Sequence, residues 1–342
     1  MTERKDIIVV GAGPCGLAVG VAARRQGVSC TILEKGCVTR AISLYPTYGT
    51  FFSTPDKLEL GEVPFITLNE KPTRVEALRY YRRVVQHFDL DVRQYEEVVA
   101  VEGAVGDFVV RSRSAEGEHE HRARRVVIAT GYFDTPNMLD VPGEELPHVT
   151  HWYREGSPFF QQRCVVVGGG NSAVEAALDL HRNGARVTLV HFETELDPGI
   201  KPWILPEIRS RIDKGEIDAR WCCRLTRIDR GSVTLRNHET GEEHRLANDF
   251  VFAMTGWTPE PALLRATGVS IDEETHVPAH DPDTYETDVP GIYIAGVLVS
   301  GSNKTFIENG RQHGAHIVAD VKRRLAEERR DADDLERRRA AS

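Results

Sequence analysis

Ile7-Ile-Val-Val-Gly-Ala-Gly-Pro-Cys-Gly16, followed by a helical pattern from Pro14 to Gln26 and an apolar run that ends at Glu34, decides the fold of this chain. A β-branched run enters a glycine turn and leaves it as a helix, the context in which G-x-G-x-x-G acquires meaning. Gly11 permits the tight turn, Gly13 lets a pyrophosphate approach the backbone around Pro14 and Cys15, and Gly16 allows helix and strand to pack closely. Free amides and the dipole at the helix N-terminus favour an anion there. Glu34 is placed to bond a ribose hydroxyl, with Lys35 beside it, and Gly27 is suited to cap the helix C-terminus.

The same device recurs at Val165-Val-Val-Gly168-Gly-Gly170-Asn-Ser-Ala173, with a helix expected from Ser172 to Arg182 and a capping Gly184. A strand is expected to end 23 residues beyond the first glycine of each loop, at Glu34 and at His191. This grammar predicts an α/β fold with two Rossmann-like nucleotide-binding domains and parallel sheets. Gly168, Gly170, Asn171, Ser172 and Ala173 form the second candidate cradle, Ala being tolerated at the third glycine position. Replacing the ribose-binding acid with His191 removes the repulsion that would exclude a 2′-phosphate, so NADPH becomes possible beside NADH. Phe192 and Glu193 follow instead of arginines, no bidentate clamp is visible, and Lys201 is the nearest later cation. Two dinucleotide sites are explained economically by a resident FAD beside a transient nicotinamide dinucleotide. A duplicated domain with one dead site is the other reading.

The 342 residues exceed the usual size of one hydrophobic core, so two domains are expected. A net charge of −9 argues against a nucleic-acid partner, which needs a basic face. No apolar run approaches the roughly 20 residues that span a bilayer, and the opening Met1-Thr-Glu-Arg-Lys-Asp lacks a signal-peptide core. A cytoplasmic protein without a membrane partner is expected, as a homo-oligomer. The six cysteines are scattered, with no Cys-x-x-Cys and no metal-ligand spacing, and Cys222-Cys223 reads as buried packing. The insertion Cys37 to Pro72 has enough aromatic content to be ordered. An amphipathic helix is expected over Arg74 to Phe88 and a final helix from about Gly310 to Ala326. The tail Glu327 to Ser342 reads as a solvated, frayed end.

The two loops, together with Ala129-Thr130-Gly131, Thr255-Gly256 and Thr287-Asp-Val-Pro-Gly-Ile-Tyr-Ile-Ala-Gly296, resemble the thioredoxin-reductase-like flavoproteins over nearly the whole chain. Four segments outside the nucleotide loops are similar to the bacillithiol-disulfide reductases of the YpdA type: Thr50 to Glu59, Ile128 to Asn137, Ile200-Lys-Pro-Trp-Ile-Leu-Pro206 and Phe306-Ile-Glu-Asn-Gly-Arg311. The resemblance implies an FAD-dependent oxidoreductase that passes hydride from NAD(P)H through FAD to a small thiol disulfide. Thioredoxin is an unsuitable acceptor, because the Cys-x-x-Cys that would serve it is absent. Thioredoxin reductases also carry an Asp after the glycine equivalent to Gly296. Here Val297 stands in its place, as in the YpdA type, which leaves the flavin ribityl contact unassigned.

Cys15 lies in the first turn of the phosphate-binding helix, where the dipole lowers a thiol pKa. It is the candidate nucleophile that the resemblance implies, and packing is the competing reading. His313 is a candidate proton donor near the flavin, while His151 beside Trp152 reads as packing. Arg311 and Lys304 are candidates for contact with flavin or an anionic substrate. The expected domains are an FAD domain over 1–131 and 256–342 enclosing an NAD(P)H domain over 132–255. The rival functions are a flavin monooxygenase or ferredoxin-type reductase, weakened by the missing monooxygenase signature before Gly168, and a non-catalytic flavin redox sensor.

Overall fold

The computed structural model describes residues 3–133, 135–259, 261–300 and 306–340. The chain divides into two compact units, one of Met1–Ser43, Ser53–Asp134 and Pro259–Ser342, the other of Leu44–Phe52 and Thr135–Thr258.

The first unit is built on a seven-stranded sheet. Along it run Asp91–Gln94, Cys30–Glu34, Lys5–Val10, Gly117–Ile128, Asp107–Ser114 and Glu97–Ala104, with Ile292–Ile294 also paired to Gly117–Ile128. Ile7, Ile8 and Val9 are fully buried, as befits a parallel strand covered on both faces. The long strand Gly117–Ile128 changes partner along its length. Its first half pairs antiparallel with Asp107–Ser114, and Val126–Ile128 pairs parallel with Lys5–Val10 and Ile292–Ile294. The glycine-loop helix Pro14–Gln26 ends at Gly27 in the left-handed conformation. Helix Arg74–His87 starts on a capping box between Thr73 and Glu76 and buries Tyr80 and Tyr81, whose hydroxyls tie down the insertion at Leu60, Val63 and Leu58.

The second unit has a five-stranded parallel sheet in the order Asp218–Arg220, Arg186–Val190, Arg163–Val167, Phe250–Ala253 and Val149–Thr150. A separate antiparallel sheet contains Cys223–Asp229, Ser232–Asn237 and Glu243–Ala247. Helix Asn171–Arg182 buries Ala173, Val174, Ala177 and Leu178 against the parallel sheet. The segment Leu44–Phe52 is held here by Thr47, whose amide donates to Arg154 O at 2.8 Å, and by Lys201 Nζ, 3.0 Å from Thr50 O.

The parallel cores agree with the sequence reading, and the two antiparallel additions extend it. The tail corrects it. The last helix runs from Ile307 to Ala340, well past Ala326, because Arg323 pairs with Glu327 one turn on at 2.9 Å and Glu328 is anchored on the buried Arg125. Such i,i+4 pairs in a sequence of Ala, Glu and Arg sustain a helix without a buried face. No helix among the described residues is long and apolar enough to cross a membrane.

Candidate functional site

In the first glycine loop, three glycines meet three different demands. Gly11 has φ +106°, and its amide donates to Leu33 O at 2.8 Å. A β-carbon placed on it would lie 2.5 Å from Ala129 O, and one on Gly16 would lie 2.0 Å from Gly11 O. Those two positions are closed by the protein's own backbone. Gly13 differs: it caps Pro14–Gln26 with ordinary φ of −68° and no side-chain cap, and a β-carbon there meets nothing within 4 Å. The helix thus presents its first amides, which lack intrahelical partners, to open space of the kind a pyrophosphate requires.

Glu34, buried at the end of its strand, accepts from Ala12 N and Gly36 N, both at 2.8 Å. It ties the glycine loop to the turn after Cys30–Glu34. A carboxylate can accept at roughly four positions, so these bonds are compatible with a ribose hydroxyl as a further donor. Lys35 and Thr130 are exposed. Gly131 has φ +73° with nothing within 4 Å of a β-carbon, which leaves the rim of the cradle open after Gly117–Ile128.

Cys15 departs from expectation. A β-carbon on Gly296 would lie 3.1 Å from its Sγ, and one on Gly310 would lie 2.6 Å from it. The thiol is seated between two glycines, and burial pushes its pKa up to about 12. The helix dipole favours the thiolate, and desolvation opposes it.

His313, on the last helix, accepts from Gly296 N through Nδ1 at 3.1 Å and stacks on Tyr285 with centroids 4.2 Å apart. Burial, aided by His316 and His280, pushes its pKa down to about 4. A neutral ring with Nδ1 accepting carries its proton on Nε2, so His313 holds the Gly296 turn and is a poor acid at neutral pH. Val297 lies in the short 3₁₀ turn Gly296–Ser300. Arg311 donates to Glu59 O, fixing the insertion, and Lys304 lies outside the described residues. His151 is buried edge-on to Trp152, 3.2 Å from Glu144, in keeping with packing.

The second loop repeats the backbone bonds of the first. Gly168, with φ +132°, donates to Val190 O at 2.9 Å, and Val174 N reaches Gly170 O at 3.0 Å as Leu17 N reaches Gly13 O at 2.9 Å. Ala173 is fully buried and Ser172 is exposed. Asn171 donates to Gly199 O and accepts from Lys201 N, both at 2.8 Å. Lys201, the cation that the sequence suggested, is already paired: its Nζ, on a buried side chain, bonds Glu175 at 2.7 Å.

His191 follows the strand Arg186–Val190 and is 2% exposed. Its ring lies where a β-carbon on Gly169 would come within 2.3 Å of Nε2. Burial lowers its pKa against the pull of Asp197 and Glu193. Sequence reasoning missed Asp197, whose amide donates to Gly169 O and whose Oδ1 lies 3.3 Å from His191 Nε2. It also missed Arg224, whose guanidinium covers the Phe192 ring at 4.4 Å. No motif announces either residue, because both reach the loop through pairings distant in sequence.

The chain belongs to the pyridine nucleotide-disulphide oxidoreductase family, whose model matches residues 8–296 and so spans both glycine loops. A flavin and a pyridine nucleotide are the cofactors this family implies. Over 323 residues the chain is 44% identical to bacilliredoxin reductase Bdr of Bacillus subtilis (strain 168), covering 94% of this chain and 98% of that protein. It is also similar to the solved structure of bacillithiol disulfide reductase Bdr (YpdA) from Bacillus cereus, with TM-score 0.91, 43% identity and coverage of 94% of this chain and 100% of that one. The Staphylococcus aureus counterpart gives TM-score 0.89, 39% identity and coverage of 96% and 99%. These likenesses bear out the YpdA-type resemblance and favour the disulfide-oxidoreductase reading over the monooxygenase and sensor readings.

Proposed function

We propose that this chain uses NADPH and bound FAD to reduce a low-molecular-weight thiol disulfide, with bacillithiol disulfide as the substrate. The observation that carries this reading is two complete glycine loops in a chain without a Cys-x-x-Cys. With no Cys-x-x-Cys to relay electrons to a protein disulfide, a small disulfide is the fitting acceptor. The names of the two solved relatives supply the substrate.

FAD is assigned to the cradle from Gly11 to Gly16, with Glu34 and Lys35 at the ribose end and Thr130, Gly131, Gly296 and Val297 along the flavin side. NADPH is assigned to Gly168–Ala173 and His191, with NADH as the weaker coenzyme. When bound, FAD supplies the acceptance of a hydride and the delivery of two electrons to a disulfide. The chain's own contributions are to hold the pyrophosphate on the amides of Pro14–Gln26, to fix the Gly296 turn through His313, and to keep Cys15 protonated. The enclosed thiol favours direct reduction over a mixed disulfide at Cys15. Overall, NADPH and one proton convert one disulfide into two thiols and NADP⁺. The same reading gives an FAD domain of 1–131 and 256–342, apart from Leu44–Phe52, which groups with the NADPH domain of 132–255, a cytoplasmic location consistent with six cysteines free of disulfides, and a homo-oligomer.

The Bacillus subtilis relative is named for a bacilliredoxin instead, which makes a small protein disulfide the second reading. Anaerobic reduction with NADPH, followed by rapid mixing with bacillithiol disulfide, glutathione disulfide, an oxidised bacilliredoxin or oxidised thioredoxin, separates them. Fast flavin reoxidation by bacillithiol disulfide is expected. Reoxidation by bacilliredoxin alone transfers the assignment to the protein substrate, and reoxidation by none of the four refutes it.

A further inference from the structure

We propose that Arg224, with Arg236 opposite it, recognises the 2′-phosphate of NADPH and so sets the coenzyme preference. This rests on the nicotinamide assignment of the second loop made above. In a βαβ dinucleotide unit the turn after the second strand faces the adenosine ribose, and here that turn is His191-Phe192-Glu193. It is fastened to the first strand of the antiparallel sheet, where Cys223 N donates to His191 O and Cys222 N to Glu193 O, both at 3.0 Å. This fastening brings the Arg224 guanidinium to 4.4 Å from the Phe192 ring centroid.

Arg224 and Arg236 are directly opposed in the antiparallel pair, so their side chains leave the same face of the sheet. Both are exposed, and among the described residues neither has a carboxylate within ion-pair distance. Like charges opposed in this way repel, and Glu243, opposite Arg236 on the next strand, offsets part of that repulsion; a dianion beside Arg224 would turn the remainder into attraction. A guanidinium held over an aromatic ring keeps donors for a phosphate. Nδ1 of the buried His191 lacks a hydrogen-bond partner while Nε2 faces Asp197 Oδ1 at 3.3 Å, so the turn also offers one polar atom that awaits a ligand. The neutral ring cannot supply the charge a 2′-phosphate needs. Lys201 is committed to Glu175, which leaves the two arginines. Glu193 and Asp197 oppose them and hold the preference to a moderate size.

Titration calorimetry of the purified protein with adenosine 2′,5′-bisphosphate and with 5′-AMP tests this, beside kcat/KM for NADPH and NADH. The bisphosphate should bind roughly 10- to 100-fold more tightly, the range of one or two charge-assisted hydrogen bonds. Arg224→Gln should remove most of that ratio through the bisphosphate, raising KM for NADPH with little effect on kcat. Arg224→Lys should keep part of it, and Arg236→Gln should reduce it by a smaller factor. Equal binding of the two ligands to the wild type, or a parallel loss of both in Arg224→Gln, overturns the proposal while leaving the nicotinamide site in place. If neither ligand binds and neither coenzyme reduces the protein, the nicotinamide assignment fails and this one with it.

Discussion

The thiol of Cys15 fills the space that a β-carbon on Gly310 would need: the two would be 2.6 Å apart. The contact joins the first turn of Pro14–Gln26 to the first turn of the last helix, and a side chain at Gly310 is opposed by this thiol and by the Gly296 backbone. Gly310→Ala should therefore destabilise the fold by about 1–3 kcal/mol as an overpacked contact, despite the better helix propensity of Ala. Adding Cys15→Ala should recover part of this loss. The Gly296 backbone, whose Cα would lie 2.9 Å from the new β-carbon, limits the recovery. A denaturant-unfolding double-mutant cycle gives the coupling, and additive effects would mean that the thiol does not occupy that gap.

Gly13 and Gly16 should fail in different ways. Gly13→Val points into open space and should leave an apoprotein with wild-type circular dichroism that no longer retains flavin, since the side chain takes the room of the phosphates. Gly16→Val meets the Gly11 carbonyl and should compromise folding before cofactor binding is at issue. A Gly13→Val protein with full flavin absorbance would remove the loop from the binding site.

His313 gives a pH dependence of definite sign. Its folded pKa of about 4 lies below the usual 6.5, so between those values the unfolded chain binds a proton that the folded chain does not. Stability should fall as pH drops through that window and be flat above it, by at most about 3 kcal/mol. His313→Asn keeps an acceptor for Gly296 N without the titration and should flatten the profile. Urea midpoints measured from pH 7.5 to 4 on both proteins decide this, and identical slopes would contradict it.

Lys201 anchors the segment Leu44–Phe52 through Thr50 O and Glu175. Lys201→Met should cost roughly 1–3 kcal/mol, because it leaves two acceptors without their shared donor. Limited proteolysis should then cut first within residues 44–52. Unchanged protease resistance would mean that the segment is held by its other contacts, such as Thr47 N to Arg154 O.

The glycine loops were legible because they are local. A turn with positive φ at Gly11, a helix that begins at Pro14 and a strand that ends at Glu34 all follow from neighbours in sequence. The antiparallel strands were not legible: Gly117-Glu-His-Glu-His-Arg-Ala-Arg-Arg125 has one wet face and too few apolar residues to announce itself. The surroundings of Cys15 were not legible for a related reason. Its helix position argues for a thiolate, but the glycines that desolvate it, Gly296 and Gly310, arrive from the far end of the chain. Lys201 looked available until Glu175, one face of Asn171–Arg182, claimed it. The tail was underestimated because its charge run was read as a solvated, frayed end, without the pairing of Arg323 with Glu327 one turn on.

The strand Ile292–Ile294 completes the first sheet by pairing with Val126–Ile128, and this has a consequence for synthesis. On a ribosome the chain emerges from its N-terminus, so the edge of Val126–Ile128 waits while the whole of Thr135–Thr258 is made. Every strand of the second unit is on hand before that gap can close. Until then, apolar residues such as Val126 and Ile128 present an unpaired edge, the kind of surface on which nascent chains aggregate. Truncation before Ile292 should thus yield a product that engages chaperones, although both glycine loops are present in full.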